Sequence, residues 1–274
     1  MSFTCYLCGF HRAEVMADKD DIRFGCFGRD KKILRCSVCD LVQLSPPWTD
    51  RELDELYKTY WQKEDFKGQK RKTKISRYLA GLIKKGDRVL EVGCGYGDNV
   101  RFLREMGFDV TGIDKDPSVC DGEHILNKDV RDWNPPEPVD VIYAIHLFEH
   151  MRNPKNFIEW MLANLKDGGR FILEMPNIDN PLLTIFRNEK FNQFYWYPYH
   201  LFFYNKKTIH GLFYNLNVKI KAVQEYGLVN HLRWLFLGRP TNGNPHIPIV
   251  DDLYKFCLTR MVGIGDTLIV TGHK

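Results

Sequence analysis

The chain has 274 residues, a charged fraction of 27% and a formal net charge of +4. This length accommodates one full α/β domain with a small appendage, and no stretch approaches the ~20 apolar residues of a membrane-spanning helix. The mild charge neither requires nor excludes a nucleic-acid partner. The start, Met1-Ser-Phe-Thr-Cys5, lacks the basic and apolar regions of a signal peptide. We therefore expect a cytoplasmic protein without a membrane span.

Four cysteines near the amino terminus form two pairs with the spacing Cys-x-x-Cys. Cys5 pairs with Cys8 and Cys36 pairs with Cys39, and four thiolates can close a tetrahedron around Zn²⁺. Because cytosolic cysteines rarely form disulfides, the spacing predicts one structural zinc ion with no open coordination position. His11 is an alternative ligand, and reduced cysteines without metal are the alternative interpretation.

A domain boundary is predicted shortly after the second cysteine pair. Short strands are predicted over Ile33–Cys36 and Leu41–Leu44, and Pro46-Pro47-Trp48 interrupts the chain. We therefore predict a zinc-binding module over residues 1–45 and a second domain over residues 46–274. Thr49 or Asp50 is predicted to cap a short helix.

Two further stretches precede the first strand of the second domain. The apolar spacing over residues 73–84 predicts a helix. The run from Lys67 to Arg77 is basic and contains no acid. It fits either a solvated helix face or a contact with the phosphates of RNA or of a nucleotide-sugar.

The stretch from Val89 to Gly97 is the most informative part of the sequence. An apolar run predicts a buried parallel strand, and Gly93, Gly95 and Gly97 follow it. Glycines let the backbone turn sharply and approach a ligand closely. Their spacing differs from the G-x-G-x-x-G of dinucleotide-binding folds. Glu91 at the strand end would repel a pyrophosphate, so we expect a positively charged ligand.

The next predicted strands extend this pattern. The strand from Val110 to Ile113 ends in Asp114, where a carboxylate can accept hydrogen bonds from two ribose hydroxyls. Strands are also predicted over Val139–Ile145, within Leu165–Pro176 after a turn, and over residues 217–226 and 265–271. Cap or insertion segments are predicted at about 180–204 and 227–262.

These residues resemble motif I and the following strands of the class I S-adenosylmethionine-dependent methyltransferases, over about residues 75–215. The resemblance implies an α/β fold with a seven-stranded Rossmann-like sheet flanked by helices. It also implies that Asp114 meets the ribose, that Asp129 meets the adenine amino group and that His146 lines the donor. The donor-binding residues that it implies are Glu91, Gly93, Cys94, Gly95, Gly97, Asp114, Lys115, Asp129, Val130 and His146.

Methyl transfer to a hydroxyl requires a base, and the histidines offer candidates. His200 lies in an aromatic-rich segment together with Tyr199 and is the preferred base, with a buried structural histidine as the alternative. Glu149-His150 matches a pair common in this superfamily and is either catalytic or an anchor of its loop. Tyr57, Tyr60 and Trp61 are candidates for closing over the donor or for packing.

The aromatic segment and the second cysteine pair resemble methyltransferases of sugar and polysaccharide biosynthesis. This resemblance implies a small-molecule acceptor, a hydroxyl of a sugar, nucleotide-sugar or glycan precursor. One alternative is an rRNA or tRNA methyltransferase whose zinc module contacts RNA. Another is a non-catalytic protein that binds S-adenosylmethionine. The sequence does not indicate the oligomeric state.

Overall fold

The structure is a computed structural model that describes residues 3–17, 30–61, 79–179, 199–226 and 267–274. The predictions for Lys67–Arg77, for residues 73–78, for residues 180–198 and for residues 227–262 lie outside this description. Within it, the named elements are β1 (Ala13–Ala17), β2 (Lys32–Cys36), β3 (Val42–Ser45), α1 (Asp50–Trp61), β4 (Arg88–Val92), α2 (Asp98–Glu105), β5 (Asp109–Asp114), β6 (Ile125–Asn127), β7 (Val139–Ile145), α3 (Pro154–Asn164), β8 (Leu165–Pro176), β9 (Phe202–Phe203), α4 (Lys206–Asn215), β10 (Ile220–Tyr226) and β11 (Thr267–His273).

The chain divides into two compact units that are not continuous in sequence. The first unit comprises the described parts of Met1–Pro47, Met175–Gly211 and Ala222–Ile269. The second comprises the described parts of Trp48–Glu174, Leu212–Lys221 and Val270–Lys274. The domain boundary between residues 45 and 46 stays a prediction.

The first unit contains a four-stranded antiparallel sheet in the order β1-β2-β3-β9. The predicted strands around the second cysteine pair are confirmed as β2 and β3, which form a hairpin whose register pairs Arg35 with Val42. On its other side, β3 pairs with β9, a two-residue strand from the aromatic-rich segment. The sequence did not predict this pairing.

The second sheet has seven strands in the order β10-β11-β8-β7-β4-β5-β6, which confirms the predicted Rossmann-like architecture. The pairs β4–β5, β4–β7, β5–β6 and β7–β8 are parallel, so their carboxyl ends meet at one edge. The core of β4 is buried because parallel strands are covered on both faces. This burial explains why the residues from Val89 to Val92 are apolar apart from Glu91.

The prediction of a turn at the start of Leu165–Pro176 needs correction. The register of β8 against β7 jumps from Val139↔Leu165 to Val141↔Arg170, and Gly168 has φ +73°. The residues of the predicted turn therefore form an irregularity within a strand that begins at Leu165. The left-handed glycine allows this detour without strain.

The helices follow their sequence signals. The Thr49 N–H donates to Glu52 Oε2 at 2.6 Å and the Glu52 N–H donates to Thr49 Oγ1 at 3.3 Å, a capping box that starts α1. Residues 79–82 are helical, as predicted. Among the described residues, none of the helices has the length and apolar character needed to cross a membrane.

Candidate functional site

The turn after β4 requires glycine at its alternate positions. Gly93, Gly95 and Gly97 have φ of +70°, +51° and +71°. A Cβ at Gly93 would lie 2.7 Å from Leu147 Cδ1, and one at Gly97 would lie 2.0 Å from Ile125 Cδ1. The left-handed backbone therefore favours glycine at all three positions, and a Cβ at Gly93 or Gly97 would also require the neighbouring side chain to shift.

Glu91 is buried at the end of β4, with 2% of its surface exposed. Its carboxylate accepts hydrogen bonds from Asn99 Nδ2 at 3.0 Å and from the Tyr143 hydroxyl at 2.9 Å. Burial raises the pKa of Glu91 to about 7, against the two hydrogen bonds, which lower it. A cation bound beside this carboxylate would favour its ionised form.

Asp114 connects the glycine turn to the end of β5. Its Oδ2 accepts a hydrogen bond from the Gly95 N–H and its Oδ1 accepts one from the Asp116 N–H, both at 2.9 Å. Burial raises the pKa of Asp114, while the two N–H donors act against that rise. A carboxylate offers about four acceptor sites, so two remain for other donors.

A cavity of about 530 Å³ opens beyond the carboxyl ends of β5 and β6. It is lined by Asp54, Lys115, Asn127, Lys128, Asp129, Arg131, Asp132 and Trp133. Lys115 Nζ lies 3.6 Å from Asp54 Oδ1 and 4.0 Å from the centre of the Tyr57 ring. Helix α1 thus contributes Asp54, which the sequence analysis missed, to the lining, while Tyr57, a sequence candidate, contacts the lining residue Lys115.

Asp129 is held by Arg131, a second residue that the sequence analysis missed. Asp129 Oδ2 accepts hydrogen bonds from Arg131 Nε at 3.0 Å and Nη2 at 2.6 Å, and Oδ1 accepts one from the Arg131 N–H at 3.0 Å. Burial acts to raise the pKa of Asp129, but the Arg131 hydrogen bonds outweigh it and the pKa lies below its usual value. Val130 lies between these two residues in the chain.

His146 follows β7 and lies between two buried carboxylates. Its Nδ1 is 3.4 Å from Glu149 Oε1, and its Nε2 is 3.4 Å from Glu174 Oε1. Its backbone has φ +50°, and its N–H donates to the Glu174 carbonyl at 2.9 Å. His150 Nε2 lies 3.9 Å from Glu149 Oε1. The structure therefore groups the predicted residues His146, Glu149 and His150 with Glu174. The sequence did not indicate a role for Glu174.

The remaining catalytic candidates belong to the first unit. His200 is 7% exposed, and its ring centre lies 6.0 Å from that of Tyr199 and 5.9 Å from that of Phe203. Glu149 and His150 belong to the second unit.

The two cysteine pairs converge in the first unit. Cys5 Sγ lies 3.4 Å from Cys39 Sγ, Cys8 Sγ lies 3.6 Å from Cys36 Sγ, and all four sulfurs lie within 4.8 Å of one another. Disulfide sulfurs would be ~2.05 Å apart, whereas sulfurs at ~2.3 Å from a tetrahedral Zn²⁺ lie about 3.8 Å apart. The donor set and its spacing therefore fit zinc.

The alternative ligand lies outside this sulfur group. His11 Nδ1 is within hydrogen-bond distance of Thr4 Oγ1 and the Phe3 carbonyl, both at 3.2 Å. Burial raises the pKa of the Cys5 thiol to about 11. A nearby cation would oppose that effect by favouring the thiolate.

Comparison with known families identifies the class of protein. The family described as a methyltransferase domain matches residues 62–223, more than half of the chain. The chain belongs to this family, and its seven-stranded sheet is the Rossmann-like methyltransferase fold.

The relatives differ in the acceptors that their names give. A trans-aconitate 2-methyltransferase of Rhizobium rhizogenes is 29% identical over 105 residues, covering 35% of this chain and 41% of that protein. A tRNA U34 carboxymethyltransferase of Hahella chejuensis is 29% identical over 133 residues, covering 41% and 39%. The chain thus spans about two fifths of each of these relatives.

A solved structure is similar over a larger share of the chain. A SAM-dependent methyltransferase from Archaeoglobus fulgidus has 19% identity and a TM-score of 0.49, covering 73% of this chain and 93% of that one.

Proposed function

We propose that this protein transfers a methyl group from S-adenosylmethionine to a small-molecule acceptor. The observation that carries the proposal is the Asp114 carboxylate, which joins the glycine turn to the end of β5 and keeps two acceptor sites. Ligands of open α/β sheets bind at the carboxyl ends of the strands. The methyltransferase family supports the same donor.

The site residues have distinct roles in this proposal. Asp114 accepts hydrogen bonds from the ribose hydroxyls, and the glycines admit the donor close to the backbone. Glu91 supplies negative charge near the cationic donor, while Asp129 and Val130 meet the adenine. Lys115, Cys94 and His146 complete the lining. When bound, the donor supplies an activated methyl carbon.

For the acceptor we propose a hydroxyl of a sugar, nucleotide-sugar or glycan precursor. In this reaction the acceptor oxygen forms a bond to the methyl carbon as the carbon–sulfur bond breaks. His200 takes the hydroxyl proton, with Tyr199 beside it, and Glu149–His150 is the alternative base. The trans-aconitate relatives suggest a carboxylate as a second small-molecule acceptor. A carboxylate is already ionised and needs no base.

Calorimetry of S-adenosylmethionine binding tests the donor site. Asp114→Ala is expected to weaken binding at least about tenfold, because two charge-assisted hydrogen bonds are lost. Asp109→Ala, at the exposed amino end of the same strand, is the matched control. Equal affinities of Asp114→Ala and the wild type, with both folded, would contradict the assignment.

Labelled donor tests the acceptor class. Incubation with fractionated small-molecule and RNA extracts should label a small-molecule fraction. His200→Gln should then lower the rate for a hydroxyl acceptor by ~10²-fold or more and leave a carboxylate acceptor largely unaffected. Tight donor binding without labelling of any fraction would favour a non-catalytic protein.

Transfer RNA is the alternative to a small-molecule acceptor, and the tRNA carboxymethyltransferase relatives favour it. Label in the RNA fraction, with binding that falls steeply as salt rises, would support this candidate over the first.

We also propose that Cys5, Cys8, Cys36 and Cys39 hold one structural Zn²⁺. Elemental analysis of protein purified without chelator should give one zinc per chain, and Cys36→Ser should lose it. Cys120→Ser should keep the metal, since Cys120 lies in the second unit. A fully active wild type with well under one zinc per chain would exclude the structural site.

A further inference from the structure

Gln43 contacts the backbone on both sides of a predicted zinc ligand. Its Oε1 accepts a hydrogen bond from the Tyr6 N–H at 2.9 Å, and its Nε2 donates to the Thr4 carbonyl at 3.1 Å. These two groups belong to the peptide units that precede and follow Cys5. Gln43 is only 8% exposed, so an amide without these partners would be costly.

The backbone of Gln43 takes part in the pairing with the aromatic-rich segment. Gln43 lies opposite Phe202 in the antiparallel β3–β9 pair, and the adjacent Leu44 N–H donates to the Leu201 carbonyl at 2.9 Å. The Tyr6 ring centre lies 5.0 Å from that of Phe202. Each of the residues Gln43, Tyr6 and Phe202 therefore contacts the other two, and together they link the first cysteine pair to β9.

The segment on the far side of this link contains the proposed base. His200 precedes β9 by two residues, and its ring contacts those of Tyr199 and Phe203. We propose that Gln43 is a positioning residue that transmits the geometry of the cysteine cluster to Tyr199–Phe203. A metal held by the cysteines then fixes the segment that carries His200. The functional meaning of this coupling rests on the proposed role of His200.

An apolar residue would satisfy the packing of this buried strand position equally well. The amide adds two directed hydrogen bonds to the backbone beside Cys5, and these bonds depend on where the cysteines hold that backbone. When the cysteine cluster opens, the Gln43 side chain loses both partners and the β3–β9 pair keeps only its own backbone hydrogen bonds. Two net hydrogen bonds correspond to about a tenfold or larger change in a local opening equilibrium.

Hydrogen–deuterium exchange of the full chain, read by mass spectrometry, measures this coupling without any acceptor. With one equivalent of Zn²⁺ bound, peptides over residues 199–205 and 88–92 should both be protected. Removal of the metal by a chelator should raise exchange in 199–205 about tenfold and leave 88–92 unchanged. Gln43→Met should raise exchange in 199–205 while zinc remains bound. Glu14→Gln, on the exposed face of β1, is the control and should change neither peptide.

The outcomes separate positioning from a purely local role. If Gln43→Met raises exchange only in residues 3–12, Gln43 merely supports the cysteine turn and the proposal is wrong. Equal exchange of 199–205 with and without metal in the wild type overturns it as well, even where the variant fails to fold. A chelator that deprotects 88–92 equally shows global unfolding and also overturns it. Donor binding and methyl transfer enter none of these readouts, so their failure would count against the proposed function alone.

Discussion

Replacing Glu91 by glutamine should remove a strong pH dependence from the stability of the fold. Burial raises the pKa of Glu91 in the folded protein to about 7, against an ordinary value of 4.5. The folded state therefore holds this proton more tightly than the unfolded state does. The protonated carboxyl therefore makes its full contribution to the free energy of unfolding below about pH 4.5. This contribution is lost as the pH rises through about 7.

The magnitude follows from the separation of the two pKa values. Each pH unit between them corresponds to about 1.4 kcal/mol, so ionisation of the buried carboxyl removes about 3 kcal/mol of stability by pH 8. Most of that loss, about 2.5 kcal/mol, falls between pH 5 and pH 8. Glutamine keeps the size of the side chain and, like the protonated carboxyl, combines one acceptor oxygen with a donor group, but it cannot ionise.

Urea unfolding of the wild type and Glu91→Gln across pH 5 to 8 measures this effect. The free energy of unfolding of the variant, relative to that of the wild type, should increase by about 2.5 kcal/mol from pH 5 to pH 8. Glu123→Gln, a matched change at an exposed position, should show no such trend. A wild-type-to-variant difference that stays constant with pH would refute the reasoning about burial.

Three further substitutions probe the local structure. Gly97→Ala should destabilise the protein by about 1–3 kcal/mol in thermal unfolding, because the backbone is left-handed and the new Cβ would lie 2.0 Å from Ile125 Cδ1. A variant as stable as the wild type would contradict both causes. Thr49→Ala should cost about 1 kcal/mol through loss of the α1 cap, and Thr49→Ser should restore it. Tyr143→Phe should cost about 1–3 kcal/mol by removing the hydroxyl that donates to Glu91, and in a Glu91→Gln background the cost should shrink.

The sequence predicted the centre of the second sheet well, and the reasons are physical. Parallel strands buried on both faces produce near-continuous apolar runs such as Val89 to Val92, which Glu91 alone interrupts. Glycine is strongly favoured at a left-handed turn, so its spacing can be interpreted without a structure. The capping box of Thr49 and Glu52 is likewise a local signal.

Interactions between distant residues were harder to predict. The two-residue β9 has no periodic pattern, and its pairing with β3 depends on contacts far away in the chain. Glu174 approaches His146 only because neighbouring parallel strands end together. Arg131 is a different case, because it lies only two residues after Asp129, whose side chain accepts the Arg131 N–H as in an Asx turn, and the sequence analysis missed this local signal.

The pairing of β3 with β9 has a consequence for synthesis of the protein on the ribosome. The two strands lie about 160 residues apart in the chain, which at 5–20 residues per second is on the order of 10–30 s of translation. During that interval β9 has not yet been made, so the edge of β3 opposite its hairpin partner β2 is open to pairing with other nascent chains. Early loading of metal by the cysteines would stiffen this hairpin while it waits. If the cysteines bind zinc as proposed, zinc-depleted cells should therefore accumulate aggregated protein during synthesis, before any loss from the mature pool.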